Sequence, residues 1–138
     1  MSDTKEAAMS PIHLARPWFT EDEPLEAAKV VRSKWLISGP RVAEFENRFA
    51  EMHNVEHAVA VNSGSAALLV ACQALGLKPD DEVIVPDITF VSSATAAMLI
   101  GGRPVFADIN LENYCIDPMD LERRITPKTR IIIPVHYA

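Results

Sequence analysis

Apolar residues along this chain change their spacing several times, and each change marks an element. From Leu25 they recur at Ala28, Val31 and Trp35, the step of an amphipathic helix. Thr20 is its expected cap, Glu21, Asp22 and Glu23 suit the positive end of the helix dipole, and Pro24 is tolerated in the first turn. The helix is predicted to run to Trp35-Leu36-Ile37, where Ser38-Gly39-Pro40 breaks the chain. Val42, Phe45, Phe49 and Met52 then step by three, four and three, with Glu44, Glu46, Arg48 and Glu51 on the opposite face. That second helix is predicted to end near His53-Asn54, with Asn54 as its stop.

Past Asn54 the pattern shifts to short apolar runs separated by turn residues. His57–Asn62, Glu82–Pro86, Pro104–Asp108 and Arg130–Val135 read as four strands. Between them lie helical stretches: Ala66–Leu75 closed by Gly76, Val91–Ile100 closed by Gly101-Gly102, and a short helix from Pro118 to Ile125 capped by Asp117. Lys78-Pro79-Asp80-Asp81 and Thr126-Pro127-Lys128 form turns, and residues 110–115 are irregular. Strands apolar on both faces that alternate with helices predict an α/β fold, a mostly parallel sheet covered by helices. Such sheets bind ligands at the carboxyl ends of their strands. Those ends carry Asn62–Ser65, Asp87–Phe90, Asp108–Asn110 and His136–Tyr137, which hold much of the polar and aromatic material of the second half.

The first of these loops organises the rest. In Asn62-Ser63-Gly64-Ser65-Ala66 a strand bends sharply into a helix. The free N–H groups of the first helical turn and the positive end of the dipole form an anion site. Gly64 leaves room for close approach, and Ser65 adds a hydroxyl. Gly64, Ser65 and the Ala66 amide are therefore candidates to hold a phosphate; the alternative is an ordinary capped turn. Phe90 follows the next strand, where it either stacks on a planar ring or packs as a core residue under the following helix. Asp108 reads as the cap of a turn, with a ligand hydrogen bond as the alternative. His136 is a possible base or orienting donor, and His53 and His57 are expected in solvent.

Composition narrows the function. The formal net charge is −6 and no Lys/Arg cluster stands out, which argues against nucleic acid or an anionic membrane as the main partner. Hydrophobic residues make up 49%, as in a globular domain rather than a disordered chain. Cys72 and Cys115 form no C-x-x-C pair, so a reducing, cytoplasmic compartment is expected, with Cys72 a buried thiol. Residues 1–10 carry acids and no apolar signal-peptide core, residues 11–17 read as an extended arm, and no apolar run reaches transmembrane length. No metal-ligand spacing, G-x-S-x-G elbow, G-x-G-x-x-G fingerprint or Walker loop is present. The run Ile131-Ile132-Ile133-Pro134-Val135-His136-Tyr137-Ala138 reads as a core strand and its exit, so the expectation is the front part of a longer protein.

The ordered series Trp35-Leu36-Ile37-Ser38-Gly39-Pro40, Val42, Phe45-Glu46, Asn62-Ser63-Gly64-Ser65-Ala66-Ala67-Leu68 resembles the start of the DegT/DnrJ/EryC1/StrS aminotransferases. Asp81-Glu82-Val83-Ile84-Val85-Pro86, Thr89-Phe90, Pro104-Val105-Phe106-Ala107-Asp108, Ile116-Asp117-Pro118 and Ile133-Pro134-Val135-His136 continue it. The resemblance implies the front part of the large domain of the fold type I pyridoxal 5'-phosphate enzymes, with residues 1–20 an arm and 21–138 an incomplete cofactor-binding domain. It implies transamination of a keto sugar carried on a nucleotide, an amino-acid donor, a homodimer, and a role in surface polysaccharide or secondary-metabolite synthesis. Gly64, Ser65 and Ala66 would lie at the cofactor phosphate, with Ser65 standing where relatives often have Thr, and Phe90 would stack on the pyridine ring. Trp35, Gly39 and Arg16 are the positions implied to touch substrate. The family's cofactor lysine and the acid facing the pyridine nitrogen are expected beyond residue 138, so this chain holds no catalytic residue and by itself is expected to be inactive. A sugar dehydratase of the same family and a non-catalytic phosphate-binding module are the alternatives.

Overall fold

The computed structural model describes residues 15–137, so the part of the expected arm before residue 15 lies outside it. The chain forms α1 (Asp22–Ser33), α2 (Pro40–Met52), α3 (Gly64–Ala74), β1 (Glu82–Pro86), α4 (Ser92–Met98), β2 (Arg103–Ala107), α5 (Pro118–Arg124) and β3 (Thr129–Ile132). At the start of α1 the Thr20 hydroxyl accepts the Asp22 N–H, and the Glu23 carboxylate accepts the Thr20 N–H in return. The cap position itself falls on Glu21, which makes no side-chain cap bond, so Thr20, the expected cap, stands one residue before it and serves only the Asp22 N–H of the first turn. The helix stops at Ser33, earlier than the apolar spacing predicts. Lys34 turns left-handed with φ 61° and its N–H bonds back to the Val31 carbonyl, which leaves Trp35–Ile37 outside the helix. In α2, Asn54 at φ 51° follows the last turn, as predicted for a stop.

The three strands are parallel in the order β2-β1-β3. The chain leaves β1 for one side through α4 and returns to its other side through α5. Every residue of β1 is buried, as befits a central strand flanked by two others. Side chains alternate along it. Val83 and Val85 join Ile131 and the small residues Ala94, Ala96 and Ala97 of α4, with Cys72 of α3, in one apolar cluster. Ile84 is directed to the opposite face and is also fully buried. Burial raises the Cys72 thiol above its ordinary pKa, so it stays protonated.

The predicted strand His57–Asn62 is not one. No described strand runs beside it, and a β-strand exists only through a hydrogen-bonded neighbour. Its backbone instead finds a side-chain partner: the Ala60 N–H donates to Glu46 of α2 at 2.8 Å. Val59 and Val61 are exposed.

Asp120 gathers polar contacts from three residues. It is buried, and its carboxylate accepts the Asp108 N–H at 2.8 Å, the Arg123 guanidinium at 3.1 Å and the Arg124 guanidinium at 3.0 Å. This ties the end of β2 to α5. The Asp108 backbone N–H, with the two arginines, holds the Asp120 pKa at about 2, below its ordinary 3.8. A depressed carboxylate pKa adds stability that is complete above the unfolded-state value and is lost as pH falls through the folded one. Asp120→Asn is therefore expected to lower the thermal midpoint at pH 7, with the gap from the parent closing between pH 4 and pH 2. A gap that stays constant in melts across that range would contradict this role.

Candidate functional site

α3 starts at Gly64, two residues before the predicted Ala66, and Ser63 is its cap. Ser63 is extended, and its hydroxyl accepts the Ala66 N–H at 3.2 Å. The Ala66 amide, expected to face an anion, is thus engaged within the chain. The Gly64 and Ser65 N–H groups have no acceptor among the described residues. A Cβ placed on Gly64 would meet nothing within 4 Å, so space stands open beside these donors. The Ser65 hydroxyl donates to the Ser92 hydroxyl at 2.9 Å across 27 residues of sequence. That bond sets the first turn of α3 against the first turn of α4, which follows the carboxyl end of β1.

Phe90 lies in the loop between β1 and α4 and is 74% exposed, so it is not a core residue packed under the next helix. Its carbonyl accepts the Ser93 N–H at 3.0 Å, and the neighbouring Thr89 hydroxyl pairs with the Ser93 hydroxyl at 2.8 Å. The structure therefore brings Ser65 and the Phe90 loop to the same pair of serines. Neither serine was a candidate from the sequence. The signal was a Val-Ser-Ser start to an alanine-rich helix directly after a ligand-facing loop, and it gives no hint of a partner in α3. Asp120 was missed too, although carboxylate-to-arginine spacings of three and four residues were there to see.

Asp108 serves as a turn residue, since one of its carboxylate oxygens accepts the Ile109 N–H at 2.8 Å. His136, His53 and His57 are exposed. His53 lies against the ring of Phe49, and Tyr137 faces Tyr114 with ring centroids 6.0 Å apart.

Trp35 and Gly39 come together in a separate feature. The indole N–H donates to the Ser38 carbonyl at 3.0 Å, and the ring lies so close to Gly39 that a Cβ there would stand 2.2 Å from the indole nitrogen. Only glycine leaves room for this side-chain position. The two residues line a cleft of about 500 Å³ with Val30, Leu36, Ile37 and Pro40. Arg16 is exposed and lies outside this lining.

No described lysine stands at a carboxyl end of the sheet. Lys29 pairs with Glu26 in α1, Lys34 ends that helix, and Lys78 and Lys128 lie before β1 and β3. No helix among the described residues is long and apolar enough to cross a membrane.

The family model described as DegT/DnrJ/EryC1/StrS aminotransferase family matches residues 18–138. The chain is 44% identical over 121 residues to the spore coat polysaccharide biosynthesis protein SpsC of Bacillus subtilis, covering 88% of this chain and 31% of that protein. It is 39% identical over 125 residues to the UDP-4-amino-4-deoxy-L-arabinose–oxoglutarate aminotransferase of Shewanella sediminis, covering 91% and 32%. The structure of NtdA from Bacillus subtilis with bound cofactor PMP superposes with a TM-score of 0.78 at 36% identity, covering 86% of this chain and 28% of that one. The chain thus spans about a third of the length of the curated relatives it matches, 31% and 32%.

Proposed function

This chain belongs to the DegT/DnrJ/EryC1/StrS aminotransferase family, and from that premise we propose that it is the cofactor-phosphate end of a sugar aminotransferase. The family is pyridoxal-phosphate-dependent. The residues suit that group. Two unengaged N–H groups at a helix start, a hydroxyl beside them and open space at Gly64 match a phosphate dianion. In this reading the Gly64 and Ser65 amides and the Ser65 hydroxyl donate to the phosphate. Phe90, already in solvent, lies over the pyridine ring and keeps water from one face.

When bound, pyridoxal phosphate supplies an aldehyde that accepts an amino group and a ring that delocalises the electron pair left by the donor's α-proton. The amine that moves this proton belongs outside the described lysines. Residues 21–138 form the first part of the cofactor-binding domain, preceded by the arm of residues 1–20. Trp35 and Gly39 shape the cleft toward the sugar, and the whole protein is a cytoplasmic homodimer that takes a nucleotide-linked keto sugar and an amino-acid donor. Such a product feeds surface polysaccharide or secondary-metabolite synthesis.

The observation that carries the proposal is the Ser65–Ser92 bond, which sets an anion-seeking turn beside a loop with an exposed aromatic. The test incubates the whole protein and pyridoxal phosphate with a nucleotide-linked keto sugar and an amino acid labelled with nitrogen-15. Mass spectrometry is expected to find the label on the sugar. A deoxy sugar without nitrogen would replace the reading by a dehydratase, and an unchanged sugar beside tight cofactor binding would replace it by a binding module.

A further inference from the structure

We infer that Ser92 and Ser93 are a pair of positioning residues that fix the separation between the phosphate-binding hydroxyl and the ring-stacking aromatic. This inference rests on the proposed cofactor site. Both serines are buried, at 6% and 4% exposure, so they do not reach a ligand themselves. Each holds a different part of the site. Ser92 bonds to Ser65, whose exposed side chain would otherwise choose among three staggered positions. Ser93 grips the Phe90 loop twice, through its own N–H to the Phe90 carbonyl and through its hydroxyl to Thr89. Consecutive residues on one helix cannot change their spacing, so the hydroxyl and the aromatic loop are referred to one rigid element.

The Ser65–Ser92 bond also has a direction that a ligand would reverse. Here Ser65 is the donor. A serine hydroxyl has one proton and two lone pairs. When Ser65 turns its proton to a phosphate oxygen, Ser92 becomes the donor and Ser65 the acceptor. The hydroxyl then stays held while it donates, and the second bond polarises the first. The pair selects ligands in which an anion and a flat ring stand at one set distance.

The test titrates the protein with pyridoxamine 5'-phosphate and with pyridoxamine, which lacks the phosphate. Parent, Ser65→Ala, Ser92→Ala, Ser93→Ala and the Ser65→Ala/Ser92→Ala double variant are compared. Loss of the hydroxyl bond is expected to weaken Ser92→Ala about three- to tenfold for the phosphorylated ligand only. No further loss is expected when it is added to Ser65→Ala. Ser93→Ala is expected to weaken both ligands, because Phe90 acts on the ring they share, and to cost nothing further when added to Phe90→Ala; a loss that persists in the Phe90→Ala background overturns its positioning role. Equal losses for both ligands in Ser92→Ala, or additive losses in the double variant, would overturn the inference, since a packing defect behaves that way. If Ser65→Ala itself leaves phosphate-ligand affinity unchanged, the phosphate site falls instead. A loss in Ser65→Ala without one in Ser92→Ala rejects the positioning role alone.

Discussion

Gly64→Asp is expected to remove pyridoxal phosphate binding while leaving the fold as stable as before, or slightly more so. The two effects have opposite signs because they act on different things. For the fold, Gly64 is the first residue of α3, a Cβ there meets nothing within 4 Å, and its backbone is not left-handed. An acid in a first helical turn gains about 0.3–1 kcal/mol from the dipole, and replacing glycine where the backbone allows it adds about 0.4–1 kcal/mol. For the ligand, the new carboxylate occupies the open space that the phosphate is proposed to fill. Two like charges 4 Å apart repel by about 4 kcal/mol at an effective dielectric of 20. Allowing for screening at an exposed site, affinity is expected to fall at least about a hundredfold. A cofactor titration beside a thermal melt separates the outcomes. Unchanged affinity in a stable variant would show that the phosphate sits elsewhere.

The largest loss of stability is expected from Ile84→Ala. Ile84 is the largest fully buried side chain, in the central strand, and its carbonyl also accepts the Ile133 N–H at 2.9 Å. Truncation removes its buried surface and leaves a cavity that the paired strands on either side cannot close. The cost is about 2–5 kcal/mol, a large share of a typical domain's stability. Phe90→Ala is the contrasting control. At 74% exposure it should cost under about 0.5 kcal/mol, although it is proposed to weaken cofactor binding. Urea midpoints for the two variants should differ accordingly; equal shifts would mean that β1 is not the centre of the core.

The elements that hold themselves together were the legible ones. α2, with its clean apolar stripe, and β1, with three consecutive β-branched residues, Val83, Ile84 and Val85, between turns, match their predicted positions closely. The Asp117 cap, with its carboxylate accepting the Met119 N–H at 3.0 Å, depends on a residue two positions away and was readable for that reason. The predicted strand at His57–Asn62 failed because an apolar run says that a segment can pair, not that a partner stands beside it. At the candidate site, Gly64, Ser65 and Phe90 were singled out from strand ends and residue type. What binds them into one arrangement was not readable, since the Ser65–Ser92 bond joins residues that no local pattern relates. Asp120 was overlooked for a similar reason: its decisive partner is the backbone of Asp108, twelve residues earlier.

A crystal structure of the whole protein with pyridoxal 5'-phosphate bound tests the central claim most directly. The account predicts the phosphate within hydrogen-bond distance of the Gly64 and Ser65 amides and the Ser65 hydroxyl, Ser92 now donating to Ser65, and the pyridine ring against Phe90. A phosphate held away from the start of α3, or a ring with Phe90 turned from it, would contradict the account.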